Sequence, residues 1–369
     1  MSTEVSFELP GAALSAHRWL LACSPDAQSH PPLIAELYAD LIGDHAVAVG
    51  GYLYERADAG GRDEANTSGT LDRLHGEWLP RVEALTTALG AVNTAQFNGD
   101  ALTGLVEDWR AVVTGLHGDV LDPAERVAEE FIARFAARFG AGQRDDARAL
   151  IEAIPSRASR RAAVVWEMSR LLRSQGSRLS QTFGPTGRQR EYMELREHAQ
   201  RDFPHAVPGY RQDVPSWSED HAMVTRAVRT AAALPDAASP LEAQQRRLAQ
   251  RHSAQAELAA SATEPAVSEL MALLPAAQEH ALAVDALAEP VARLVAAARA
   301  MWLGLGSRLE ARGRLAEAAD VFYLRRAELV GSVEGGEGLG SPEIARRRAE
   351  HPAFEAATPP AMLGASVTA

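Results

Sequence analysis

Three side chains in QEHALAVDALAEPVARL (278–294) are of the types that acid–base chemistry needs: Glu279, His280 and, five residues on, Asp285. On a helix, that spacing brings His280 and Asp285 within about one and a half turns. An imidazole oriented by a carboxylate acts as a general base toward a substrate hydroxyl. The same pattern fits a polar helix face or a His–Asp contact that only braces the fold, and the residues alone leave both open. A second set lies in HAVPGYRQDVPSWSEDHAMV (205–224), where His205, Tyr210, Arg211, Asp213, Trp217, Glu219 and Asp220 share one proline-rich stretch. Such composition predicts a loop, and loops on rigid scaffolds collect binding groups. Arg211 is its anion-binding candidate, because a planar guanidinium grips a carboxylate or phosphate through two parallel bonds. The alternative is a loop tied down by its own hydrogen bonds, with Trp217 as a packing plug.

Other groups point less far. Asp145 and Asp146 with Glu152 have the look of paired carboxylates for magnesium, but no second ligand set stands at the required spacing. After Gly142 they read as the acidic first turn of a helix, so no metal site is expected. The arginines of 156–173 and 346–348 read as solvated faces. Tyr52, Tyr54, Trp166 and Tyr323 are core aromatics or the walls of an apolar pocket.

Every one of the 37 basic residues is arginine. With no lysine, Schiff-base chemistry, pyridoxal phosphate attachment and a Walker-type phosphate lysine are closed to this chain. A net charge of −12 repels nucleic acid and anionic lipid surfaces, so neither is an expected partner. The single cysteine, Cys23, excludes an internal disulfide and a multi-cysteine metal site, and it suits a reducing compartment. The opening MSTEVSFELPGAAL has no basic start, and no stretch reaches the roughly 18 apolar residues of a membrane span. The expected location is the cytoplasm.

The elements that must position these groups are helical. Apolar residues recur at three- and four-residue spacing over 123–140, 160–174, 220–234, 240–261 and 291–312, with Ala, Leu, Arg and Glu between them. Gly140, Pro235 and Gly313 stand as stops, and the last long helix is expected to start near Pro290. Strand signals are nearly absent, and no fixed-period repeat is visible. The expected fold class is therefore all-α with little or no sheet. Glycine and proline clusters at 184–188 and 204–215 suggest two helical lobes, 1–200 and 201–360, followed by a disordered tail, 361–369.

The most specific signal is GSRLEARGRLAEAADVFYLRRAELV (306–330), in which a helix stops at a glycine and a Val-Phe-Tyr-Leu run precedes another helix. PEIARRRAEHPAFEAATPPAMLG (342–364) follows with an Arg-rich helix and then Pro-Pro. Together with 278–294, 205–224 and weaker echoes at Trp78–Pro80 and GGYLYER (50–56), these blocks resemble the helical central region of the PEP synthase and rifampin phosphotransferase family of PEP-utilising enzymes. The likeness is strong from about residue 200 onward and weak before it. Two departures stand out: the family's Gly-His-Arg is Gly209-Tyr210-Arg211 here, and the aromatic after His280 is replaced by Ala281 and Leu282.

The resemblance implies a substrate-binding region that receives a phosphoryl group from a phosphohistidine. No Thr/Ser-Cys/Ser-His phosphoacceptor segment and no lysine-bearing ATP-grasp region are found among these residues. It therefore implies an acceptor subunit of a split phosphotransferase in specialised metabolism. That subunit would bind a hydroxylated, hydrophobic small molecule and no cofactor of its own, while a partner protein supplies ATP-grasp and swivelling phosphohistidine domains. Glu279, His280 and Asp285 would be catalytic, with His205, Tyr210, Arg211, Trp217, Glu219 and Asp220 binding substrate. Two alternatives stand beside it: a stand-alone cyclase, lyase or isomerase using the same acid–base residues, and a non-catalytic binding protein.

Overall fold

The computed structural model describes residues 18–21, 29–42, 46–49, 51–56, 69–152, 154–175, 187–207, 211–335 and 341–364. Helices dominate, and the fold class is all-α with one small sheet. After β1 (Arg18–Leu21) come α1 (Pro32–Ile42), β2 (Ala46–Val49) and β3 (Tyr52–Arg56). Next are α2 (Thr70–Arg73), α3 (Leu79–Gly90), α4 (Gly99–Leu116) and α5 (Asp122–Phe139), with π-helical turns at Leu74–Trp78 and His117–Leu121 between them. Then follow α6 (Arg144–Glu152), α7 (Arg157–Gln175), α8 (Gly187–Asp202), α9 (Ala222–Ala233) and α10 (Pro240–Ala260). The chain ends through α11 (Pro265–Ala311), α12 (Arg326–Val333), α13 (Ser341–Ala356) and β4 (Met362–Gly364).

The axis of the molecule is α11, a single helix that runs through Pro275 and Pro290. The break expected near Pro290 does not occur. An internal proline costs a helix about 3 kcal/mol, whereas each large apolar side chain that α11 buries returns about 1.5–3 kcal/mol. Its N-terminal half buries Val267, Leu270 and Ala277 against α5, α6 and α10, and its C-terminal half buries Leu294, Met301, Trp302, Leu305 and Leu309 against α1, α3, α4 and the turn at 318–323. Gly306 permits that last approach, since a Cβ there would fall 2.0 Å from the Ala318 carbonyl oxygen.

A third buried cluster joins α7, α8 and α9 through Met168, Tyr192, Phe203, Trp217 and Val224. Residue 200, the expected boundary between two lobes, lies inside α8, and the largest cluster unites residues from Leu33 to Val120 with residues from Ala283 to Ile344.

The sheet is antiparallel in the order β2-β3-β1-β4, with Val47 opposite Tyr54 and Leu20 opposite both Glu55 and Met362. Alternation buries Tyr52 and Tyr54 on one face. The start of the segment expected to be a disordered tail forms β4 instead, because β1 offers it an edge to pair with. Residues 365–369 lie outside the described residues. No described helix is long and apolar enough to cross a membrane.

Candidate functional site

Three of the conspicuous sequence blocks meet at one buried polar centre. Arg211 and Asp213 come from the proline-rich loop, Tyr323 from the Val-Phe-Tyr-Leu turn, and His351 and Glu355 from α13. The Arg211 guanidinium grips the Asp213 carboxylate through Nε at 3.0 Å and through Nη2, while Nη1 pairs with Glu355. These bonds hold the Arg211 pKa above its ordinary value against a burial effect that opposes them. His351 lies within 3.5 Å of Arg211 Nη2 and 3.6 Å of Glu355, with the ring of Tyr323 edge-on at 6.0 Å. Burial, aided by Arg211, pushes the His351 imidazole down in pKa despite Glu355 and Asp213.

His30, just before α1, completes the centre. Its ring is buried and meets Tyr38 edge-on at 5.1 Å, and its Nδ1 is buried without a hydrogen-bond partner. Burial first, then the charges of Arg211 and His351, lower its pKa to about 4, with Asp213 opposing. Both imidazoles are therefore neutral at pH 7. Tyr38 is pushed up to about 12 by burial, so its hydroxyl stays protonated. It accepts from Gln212 Nε2 at 3.2 Å, and Gln212 Oε1 in turn accepts from Trp302 Nε1 at 2.8 Å. Arg299 of α11 donates to the Gln212 carbonyl at 3.1 Å and ties the loop to the long helix.

The sheet fixes the position of His30. Its backbone N–H donates to the Gly51 carbonyl at 2.8 Å, in a turn where Gly51 has φ 81. A Cβ at Gly51 would lie 2.3 Å from the His30 carbonyl oxygen, so this close approach requires glycine. From β3, the Tyr52 hydroxyl donates to the carbonyls of Phe354 (2.8 Å) and Ala357 (3.2 Å), and Tyr54 to that of Pro360 (3.1 Å). The hairpin thus clamps the element bearing His30 to the end of the helix bearing His351.

Beside the two histidines opens a cleft of about 390 Å³, a volume in the range of small-molecule sites. One wall is apolar, with Pro32, Ala35, Val49 and Phe354, and the rim carries Glu36, Arg325, Arg346, Arg347 and Glu350. Arg346 and Arg347 each use every guanidinium nitrogen: Arg346 on Glu343 and Glu350, Arg347 on Glu328, Glu343 and the Tyr323 carbonyl. Two neutral imidazoles thus stand beside an apolar-walled cleft.

The residues expected to be catalytic lie elsewhere. Asp285 accepts from the backbone N–H of Arg157 and caps the start of α7, and Glu289 pairs with the Arg157 side chain at 2.7 Å. Glu279 and His280 are half-buried on the part of α11 that packs on α5 and α6. A spacing of five turns His280 about 140° away from Asp285 around the helix, and His280 lies about 28 Å along the axis from Arg299, which holds the loop. The structure does not bring the expected base and the expected substrate-binding loop together.

Within the loop, the residues divide. Arg211 joins the polar centre. Glu219 accepts from the Ser216 N–H at 2.8 Å and pairs with Arg299 Nε at 3.1 Å, and Asp220 caps α9 by accepting from the Ala222 N–H at 2.8 Å. Trp217 is a buried plug packed edge-on against Phe203 at 6.3 Å, and the half-buried His205 keeps an unpartnered Nδ1. Tyr210 lies outside the described residues. Asp145 and Asp146 stand in the first turn of α6, Asp145 within 3.5 Å of Arg148. Trp166 is buried beneath the Arg170 guanidinium, 3.8 Å from its ring centre. Of the arginines expected on solvated faces, Arg157 and Arg347 are instead mostly buried in ion pairs, because each reaches carboxylates on a neighbouring helix.

Sequence reasoning missed His30 and His351. Each had a signal, since His30 precedes Pro31-Pro32 at a helix start and His351 precedes Pro352 inside one of the family-like blocks. No protein-family model matches the chain, and comparison with curated proteins gives no significant match.

Proposed function

We propose that this chain holds a small hydroxylated molecule in the cleft beside His30 and His351 and presents its hydroxyl for phosphorylation or dehydration. This is the acceptor role of the helical region in PEP-synthase-like phosphotransferases, with ATP and the phosphohistidine domain lying outside these 369 residues. One observation carries the reading: blocks 205–224, 306–330 and 342–364, together with the hairpin around Gly51, converge on a single buried polar centre at a cleft. A neutral imidazole there takes the hydroxyl proton as the substrate oxygen forms its bond to phosphorus and the phosphohistidine N–P bond breaks.

The test is to mix the full chain with labelled ATP, the products of neighbouring genes and candidate alcohols. A phosphorylated or dehydrated small molecule is expected, with loss of at least about a hundredfold in rate for His30→Phe, the usual scale of a removed general base. If no combination yields product, the acceptor role is wrong. The unpartnered Nδ1 of His30 favours a second reading, a stand-alone lyase or isomerase whose acid–base pair is already complete in this chain. It requires turnover by the isolated protein without ATP.

A further inference from the structure

Resting on that reading of the cleft, we infer that its ligand is an uncharged acylated hydroxy-amino acid amide, which pairs with the free edge of β2 at Ala48 while its hydroxyl faces His30 and His351. β2 ends the sheet, in the order β2-β3-β1-β4, so one of its edges is unpaired. The register decides which backbone groups point outward there. Val49 and Tyr52 are partners with only two residues between them, so they exchange the hydrogen bonds that close the hairpin, and Val47 and Tyr54 exchange the next set. The N–H and C=O of Ala48, the residue between, therefore turn away from β3. Among the described residues, no backbone or side chain hydrogen-bonds to them.

The cleft meets β2 on that edge. Successive strand side chains point to opposite faces, yet Ala48 and Val49 both line the cleft, so it runs along the strand's edge, and β3 occupies the other one. A ligand residue that pairs with Ala48 needs an N–H for the Ala48 carbonyl and a C=O for the Ala48 N–H, on either side of one carbon. An acylated amino acid amide has that arrangement, and a serine or threonine side chain adds the hydroxyl. The rim gives no reason for a charged group, because Arg325, Arg346 and Arg347 face the carboxylates of Glu36, Glu328, Glu343 and Glu350. Pro32, Ala35 and Phe354 offer apolar surface to the acyl group, and about 390 Å³ takes a small molecule but not the sheet of a second copy.

Titration calorimetry on the full chain tests this with N-benzoylserine methylamide, the same amide methylated at the serine nitrogen, and phenethyl alcohol, which has a hydroxyl but no amide. The serine amide should bind at least tenfold tighter than phenethyl alcohol. Methylation of its nitrogen should remove about tenfold in affinity, the value of one hydrogen bond left unmade. Ala48→Pro deletes an outward N–H and spares the ladder to β3. It should keep the parent's circular dichroism and lose about tenfold in amide affinity, with phenethyl alcohol unaffected. Ala46→Pro, at the other outward-facing residue of β2 and away from the cleft lining, should change neither. The inference is overturned if the methylated amide or phenethyl alcohol binds as well as the serine amide, or if Ala48→Pro leaves amide affinity unchanged. A dimer in sedimentation that the amide does not dissociate would give the edge to a second copy and overturn it too. Phenethyl alcohol binding abolished by His30→Phe would then keep the cleft as a hydroxyl site and discard only the amide. If no probe binds the parent, the cleft reading falls with the inference.

Discussion

A buried histidine whose Nδ1 finds no partner costs the fold free energy, and the proposed role of His30 would give that cost a use. Replacing a buried, unsatisfied polar group by an apolar one of similar shape recovers about 1–3 kcal/mol. His30→Phe should therefore unfold at higher denaturant than the parent at pH 7 while losing its activity. The pH dependence adds a second mark. The His30 pKa falls from 6.5 unfolded to about 4 folded, so the unfolded chain binds the extra proton between those values. The parent should lose up to roughly 3 kcal/mol from this group as pH drops from 6.5 to 4, and His30→Phe should lose less over the same window in parallel urea titrations. At Asp285 the expectation is the reverse of a catalytic one. Asp285→Ala removes one of the two side chains that cap α7, leaving Ser156, and should cost about 1 kcal/mol, and neither it nor His280→Ala should change ligand binding in the cleft by more than about twofold, since a site this far away behaves independently. Residue types and local spacing identified Arg211 from the sequence. They did not reveal His30, because its partners stand some 180 and 320 positions away, and the Pro31-Pro32 that follows it marks a helix start without encoding an environment assembled from such distances.

At the scale of elements, helix positions were legible because a buried stripe repeats every three or four residues wherever a helix faces a core. The long α11 was not, since a rule about proline considers one residue while two cores act on the whole helix. The sheet was also hidden, because its strands are three to five residues long and β1 pairs with β4 across more than 300 positions. Its role can be tested directly. Tyr52→Phe and Tyr54→Phe remove only hydroxyls, each donating to a carbonyl at the end of α13 or just beyond it. Each should cost about 1 kcal/mol. If the hairpin is a clamp, the double variant should raise amide hydrogen exchange over 351–360 and weaken cleft ligands, while exchange in α5 and α6 stays as in the parent. Uniform acceleration across the chain would mean that the tyrosines support general stability and do not position the two histidines.

At the scale of the molecule, the arrangement of the buried clusters governs how the chain unfolds. Composition suggested two lobes meeting near residue 200, and lobes of that kind would melt separately. The main cluster instead packs Leu33, Trp78, Leu102 and Trp109 from the first third of the chain against Leu294, Trp302, Leu305, Phe322 and Ile344 from the last third. Neither portion buries its apolar face without the other, and α11 carries the same dependence into the cluster made with α5, α6 and α10. Calorimetry should therefore give one transition with a van't Hoff enthalpy close to the calorimetric one. Separately expressed 1–200 and 201–369 should each lack a cooperative melt and recover one only when mixed. Two resolved transitions in the intact chain, or an independently folding fragment, would show that the lobes are autonomous. The polar centre follows the same logic, because His30 comes from one portion while Arg211, Tyr323 and His351 come from the other. A cooperative melt and a ligand that raises its midpoint in the parent, but less in His30→Phe, would tie the site to that shared core.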